Sequence, residues 1–240
     1  MTRTLLYLSI LLSLVGSGVA QHASAAPAQH PPPAAASPAT PSADALWADL
    51  LAGNKRFVAG KPRARALVAL RRQLASGQSP HVIVLGCSDS RVPPEVIFDQ
   101  TLGDLFVVRT AGNVADPVAL GSMEYAVDHA HSTVLVVLGH QKCGAVTAAC
   151  SGEKMPSRNL DAIAEKINPA VTQAKTYAKA DDLIESAIRE NVHQSAKDVL
   201  ANSEILREAV KSGKLKVIEA EYMFDSGKVV RLDTPAMGQK

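Results

Sequence analysis

Three side chains of this chain are of types that can hold a soft divalent metal: Cys87, His140 and Cys143. Cys87 follows the apolar run Val82-Ile83-Val84-Leu85-Gly86, and His140-Gln141-Lys142-Cys143 follows a second run, Val134-Leu135-Val136-Val137-Leu138-Gly139. Alone, Cys87 reads as a buried structural cysteine and His140 as a cap or core histidine. The H-x-x-C spacing changes that, because a tight turn lets both side chains face one ion. Two sulfurs, one nitrogen and an empty fourth position are the ligand set of a catalytic zinc site rather than a closed structural one.

Asp89 and Arg91 follow Cys87 by two and four residues, close enough to reach the same edge. The simplest reading is a structural ion pair. A carboxylate held by an arginine also stays ionised and can accept a hydrogen bond from zinc-bound hydroxide, aiming its lone pair. Swung away from Arg91, Asp89 would instead fill the fourth zinc position and shut the site.

The elements that must position these groups are strands ending in functional loops and separated by helices. That alternation predicts an α/β fold: a parallel-core sheet of four strands plus an antiparallel edge strand, flanked by helices, with extending N-terminal helices. Such sheets carry their sites outside the carboxyl ends of the strands. Ser42 is set to cap a first helix in which Leu46, Trp47, Leu50, Leu51, Phe57 and Val58 recur at helical spacing. A second helix is expected from Ala64 to Ala75, stopping at Gly77, its Arg71-Arg72 pair on a solvated face. Pro93-Pro94 should open a short helix through Ile97 or Phe98. Strands are expected at Leu105–Val108, Val134–Leu138 and Leu215–Ala220, with a last turn and edge strand within Glu221–Arg231. Helices are expected at Val118–Ala130 and at Gly144–Cys150, where the Cys143 thiolate would meet helix N–H groups. Two more are expected at Leu160–Ala178, interrupted at Asn168-Pro169, and at Leu183–Val210 as one piece, ended by Gly213.

With 240 residues, 47% of them hydrophobic, the chain can bury a substantial core in one domain. Its 25 basic and 23 acidic residues leave a net charge of +2, without a basic run or aromatic-interleaved stripe to suit nucleic acid, so the partner is a small molecule. Three cysteines, an odd number, do not make a disulfide framework; Cys150 is left over and suits a small apolar packing role.

The N-terminal stretch reads as targeting rather than fold. Arg3 precedes the apolar segment Leu5–Val15, followed by small residues with cleavage expected after Ala20 or Ala25. That signal peptide (1–25) predicts export to a periplasm or the outside. The apolar run is short for a membrane span, an uncleaved anchor being the alternative. Residues 26–41, mostly Ala and Pro, form a linker to a single domain over 42–240. His22 and His30, in or beside the linker, are spectators.

The segments Cys87-Ser88-Asp89-Ser90-Arg91-Val92 and His140-x-x-Cys143-Gly144, with Arg109-x-Ala111-Gly112-Asn113 and Glu124-Tyr125-Ala126, resemble the β-class carbonic anhydrases from about Ser42 to the final strand. The resemblance implies a zinc lyase that reversibly hydrates carbon dioxide to bicarbonate and a proton. It implies one Zn2+ per chain on Cys87, His140 and Cys143, and Asp89–Arg91 as a catalytic dyad. It further implies a substrate pocket of Gln78, Phe106, Ala111, Tyr125 and Gly144, contributed partly across the interface of a homodimer or tetramer. Apolar walls suit carbon dioxide, and Gln78 would donate to the oxygen that becomes negative. Imidazoles titrating near neutrality make His81, His129, His131 and His193 candidate proton shuttles, though nothing selects one. Two other readings remain open: a related zinc hydrolase of carbon disulfide or carbonyl sulfide, and a zinc-binding protein without catalysis.

Overall fold

The computed structural model describes residues 41–232; the expected signal peptide and all but the end of the linker lie outside the described residues. Two runs that are buried on both sides, β1 (Val82–Cys87) and β3 (Val134–His140), form the middle of a five-stranded sheet. Flanking them are β2 (Leu105–Thr110) on one side, and β4 (Lys216–Tyr222) and β5 (Val229–Arg231) on the other, in the order β2-β1-β3-β4-β5. All pairs are parallel except β4 with β5. The expected parallel core with an antiparallel edge is thus the observed sheet. Continuous apolar runs such as Val82–Leu85 suit strands covered on both faces, where successive side chains go to opposite sides.

That alternation divides the core in two. Val82, Val84, Val134, Val136 and Ile218 face one layer, which includes α1 (Ala43–Val58), the short α3 (Pro94–Ile97), α5 (Gly144–Ser151) and α6 (Arg158–Lys175). Ile83, Leu85, Leu135 and Val137 face the other, with α4 (Pro117–Asp128) and α8 (Glu204–Lys211). The long α7 (Leu183–Asn202) contributes to both, Ile188 to the first and Val192, Ala196 and Val199 to the second. Caps fix the helix starts: Ser42 accepts from the Ala45 N–H, Asp116 from Ala119 and Ser157 from Leu160. No helix among the described residues is long and apolar enough to cross a membrane.

Three expectations about helices need correction. The helical region from Leu183 is two helices, because Ser203 is extended (φ −128°, ψ 117°); its hydroxyl accepts from the Leu206 N–H and donates to Glu124. The polar run gives no sign of this break, which is a cap made by a tertiary partner. Conversely, α6 runs through Pro169 without interruption. Ile167, Ala170, Val171 and Ala174 bury a continuous stripe there, and that packing outweighs the hydrogen bond Pro169 forgoes. Finally, α2 is only Leu67–Gln73, followed by a 3₁₀ turn (Leu74–Ser76) and then Gly77. Residues 63–66 are held out of the helix by contacts to Asp99.

Asp99 is the anchor of this N-terminal arm. Its side chain, 1% exposed, accepts from Arg56 Nε and Arg65 Nη2, each at 2.5 Å, and from the Arg63 backbone N–H. Burial alone would raise the carboxyl's pKa; Arg56, the Arg63 N–H and Arg65 outweigh it and hold it below the ordinary carboxylate value. The stabilisation from a depressed carboxyl is complete above the unfolded value of about 3.9 and fades as pH falls through the folded one. Asp99→Asn, which leaves two guanidinium groups without their counter-ion, should cost about 3–5 kcal/mol at pH 7 by denaturant unfolding. The gap to the unaltered protein should close only below pH 4. An equal gap at pH 3 and pH 7 would show that charge is not the source.

Candidate metal centre

The strand order reverses at β1: the chain leaves it for β2 on one side and returns to β3 on the other. In open α/β sheets the carboxyl ends at such a reversal flank a crevice that holds the site. Cys87 is the last residue of β1, His140 the last of β3, and Cys143 precedes the first turn of α5. The three ligand atoms lie within 4.8 Å of one another, and all three residues are buried.

The charges there fit a dication. Cys87 is driven below the ordinary thiol range, first by a hydrogen bond from the Cys143 thiol, against burial, with His140 and the Asp89 and Gly112 N–H groups adding to it. Cys143 is pushed above that range by the same hydrogen bond and by burial, outweighing the Val146 and Ala145 N–H groups at the helix start. The helix N-terminus expected to favour a Cys143 thiolate is therefore present, but the neighbouring sulfur dominates. Two sulfurs this close compete for one negative charge, and a divalent cation is what lets both ionise.

His140 is prepared in the same sense. Its Nδ1 pairs with the Gln141 carbonyl at 2.8 Å, which keeps a proton on Nδ1 and leaves Nε2 as the ring's free ligand atom. Nε2 is buried and makes no hydrogen bond of normal geometry among the described residues. A buried ring nitrogen beside two sulfurs is the arrangement a zinc-type ligand set requires.

Around the sulfur of Cys87 the backbone is tightly specified. Its Sγ accepts from the Asp89 N–H at 3.5 Å and the Gly112 N–H at 3.3 Å. Gly112 is left-handed (φ 69°), and a Cβ there would stand 2.8 Å from Ile167 Cδ1 and 3.2 Å from Ala145 Cβ. Glycine alone satisfies both the conformation and the space. Asn191, on α7, donates to the Gly112 carbonyl at 2.8 Å and locks the turn. Arg109 donates to the Cys87 and Asp89 carbonyls at 2.9 and 2.5 Å, stapling the segment that carries both side chains.

Asp89 is held on Arg91 by paired hydrogen bonds, Nε to Oδ1 at 2.9 Å and Nη2 to Oδ2 at 2.7 Å, with the Arg91 N–H also donating to Oδ1. First through Arg91, the carboxyl falls to about 2, so it is an acceptor at any working pH. It is not one of the three converging ligand residues.

The expected pocket residues separate into two groups. Ala111, in the 3₁₀ turn Ala111–Asn113, and Gly144, at the start of α5, flank the ligands. Phe106 pairs with Ile83, four residues back along β1 from Cys87, or about 13 Å of strand rise. Tyr125 packs against Phe106 with ring centroids 6.3 Å apart, and Gln78 lies in the exposed loop entering β1. One chain therefore does not bring Gln78, Phe106 and Tyr125 to its own ligands.

The candidate shuttles are dispersed. His129 stacks on Tyr125 at 4.6 Å, His193 pairs with Glu219, His131 is exposed and His81 ends the loop before β1. Cys150, half-buried against the core, has its thiol pKa raised by burial, as a packing residue would.

Four contributors have no role assigned from spacing or pattern: Arg109 and Gly112, which belong only to a recognisable segment, Asn191 on a polar helix, and Phe224. A cation near the end of the strand adjacent to Cys87, three residues before a glycine in the turn that follows, is the available signal for the first two. Phe224 offers none beyond its i, i+2 relation to Tyr222.

An α/β sheet gathering two sulfurs and an imidazole at its reversal point defines a protein built to hold a metal. A family model described as carbonic anhydrase matches residues 82–229. Carbonic anhydrase 2 of Mycobacterium tuberculosis is 40% identical over 195 residues, covering 79% of this chain and 92% of that protein. The β-carbonic anhydrase CcaA superposes with a TM-score of 0.63 at 28% identity, over 79% of this chain and 88% of that one. A tetrameric β-carbonic anhydrase from Sordaria macrospora also gives 0.63, at 26% identity, over 78% and 97%. The chain belongs to the β class of the carbonic anhydrase family, and it is an enzyme of that kind.

Gly112→Ala should raise the dissociation constant for zinc about 10–100-fold in competition with a chromogenic chelator, since it disturbs an N–H that holds Cys87. An unaltered zinc constant would remove Gly112 from the support of the centre.

Proposed function

We propose that the protein hydrates carbon dioxide reversibly to bicarbonate and a proton, with one zinc ion per chain on Cys87, His140 and Cys143. The observation that carries this reading is the convergence of three ligand atoms next to an ionised carboxylate that is itself held off them by Arg91. A zinc ion held there would supply a bound water made acidic enough to become the nucleophile, less acidic on two thiolates than on a set of neutral ligands.

The remaining work belongs to the chain. The N–H groups of Asp89 and Gly112 draw charge from the Cys87 sulfur, which moderates how much negative charge the ligand set presents. Asp89, kept ionised by Arg91, accepts a hydrogen bond from the attacking oxygen and so aims its lone pair at the carbon. Arg109 holds the backbone carbonyls of Cys87 and of Asp89 itself, so the position of that residue does not depend on substrate binding.

Gln78, Phe106 and Tyr125 serve the site of a second copy. This reading is supported by their distance from the ligands of their own chain and by the tetrameric relative. We therefore propose a homodimer or a tetramer built from it. Export is proposed on the sequence of the first 25 residues, which leaves a mature chain beginning at Gln21 or Ala26.

Stopped-flow hydration on the chain from Pro41 onward, with and without chelator, tests the whole reading. Activity that chelator abolishes and zinc restores is expected; zinc binding without hydration would leave only metal storage. Cys143→Ser should lose most of its metal. Asp89→Ala should keep its metal and lose about 10- to 100-fold in turnover, as for a hydrogen-bond partner outside the ligand set. Full turnover in Asp89→Ala would remove the carboxylate from the mechanism.

A further inference from the structure

Arg91 carries the carboxylate on which the proposed mechanism relies, yet its own side chain is 56% exposed. Among the described residues, its hydrogen bonds go to Asp89 alone. A long, half-solvated side chain with one hydrogen-bonding partner loses rotamer freedom in that position and needs something to oppose the loss. The opposing contact comes from the turn between β4 and β5, where the ring of Phe224 lies with its centroid 4.3 Å from Arg91 Cζ. At that distance the ring quadrupole attracts the guanidinium, and the flat face limits the orientations its plane can take.

Phe224 is well placed to act as a fixed surface. It meets the His140 ring at 5.5 Å and the Tyr222 ring at 5.4 Å, both edge to face. Tyr222 pairs with His140 across β3 and β4, and the turn is closed by Met223 N–H to the Lys228 carbonyl and Gly227 N–H to the Met223 carbonyl. One aromatic ring thus touches both a ligand residue and the arginine of the dyad. It connects two groups that come from opposite sides of the strand reversal.

We propose that Phe224 is a positioning residue: its ring holds the Arg91 guanidinium in the plane that keeps Asp89 paired and away from the ligand atoms. The catalytic consequence rests on the reading of Asp89 and Arg91 given above. Simple packing predicts that leucine, apolar and of similar bulk, replaces Phe224 without effect. The positioning role predicts that leucine fails and tyrosine succeeds, because only an aromatic ring presents a negative face to the cation.

The test combines nuclear magnetic resonance with kinetics. In the metal-free chain, the Arg91 Nε–H resonance, assigned by its loss in Arg91→Lys, should be shifted by the ring in the unaltered protein and in Phe224→Tyr. It should move to the position of a free arginine in Phe224→Leu. At saturating zinc, Phe224→Leu should turn over roughly two- to five-fold more slowly. Its melting temperature should match that of Phe224→Tyr, which keeps full turnover. In an Arg91→Ala background, Phe224→Leu should cause no further loss. The proposal is overturned if Phe224→Leu leaves the resonance unmoved, or if it slows turnover equally with and without Arg91. If Arg91→Ala itself keeps full turnover, it is the dyad mechanism that falls, and the catalytic role of Phe224 with it; the resonance still decides the contact.

Discussion

Two cysteine sulfurs and an imidazole nitrogen are pressed together at the end of a buried sheet, and the rest of the molecule can be understood as making that crowding tolerable. Two thiols this close and this buried oppose each other's ionisation, so that without a cation one of the pair is held above the ordinary thiol range. The His140 Nε2 beside them is buried and makes no hydrogen bond of normal geometry among the described residues. Such an arrangement costs free energy in the folded chain unless a cation satisfies all three groups at once. The three residues thus make a group that could hold one divalent ion, formed by the fold itself.

What sustains the crowding is the backbone, itself held in place by the side chains of Arg109 and Asn191. The strand reversal brings the ends of β1 and β3 side by side, and the turn at Gly112 supplies an N–H to the Cys87 sulfur from a conformation that only glycine adopts there without strain. Arg109 grips the carbonyls on either side of Ser88, while Asn191 secures the glycine turn from α7. Far from the site, Asp99 ties the N-terminal arm to the domain through arginines, leaving α2 with no buried residue of its own. An arm so presented, together with Phe106 and Tyr125 at the opposite end of the sheet, matches a site completed between chains.

The parts legible in the sequence were those governed by local pattern. Apolar runs ending in Cys87 and His140 gave both the central strands and the ligands. Ser42, Pro94 and Gly77 marked element boundaries through capping and backbone preference. What the sequence did not disclose depended on contacts between distant segments: the cap at Ser203 completed by Glu124, the helix that continues through Pro169 because its buried stripe is unbroken, and the non-helical residues 63–66 beside Asp99. The same holds at the site. Asp89 and Arg91 announce themselves by spacing, whereas Phe224 reaches Arg91 only after the sheet has folded, and no periodicity in Tyr222-Met223-Phe224 foretells it.

In the proposed enzyme one divalent ion is shared by two sulfurs and a nitrogen. X-ray absorption at the zinc edge of the loaded protein reads this ligand set directly. Two sulfur neighbours at about 2.3 Å and nitrogen or oxygen neighbours at about 2.0–2.1 Å are expected. A first shell of nitrogen and oxygen alone, or of four sulfurs, would contradict it.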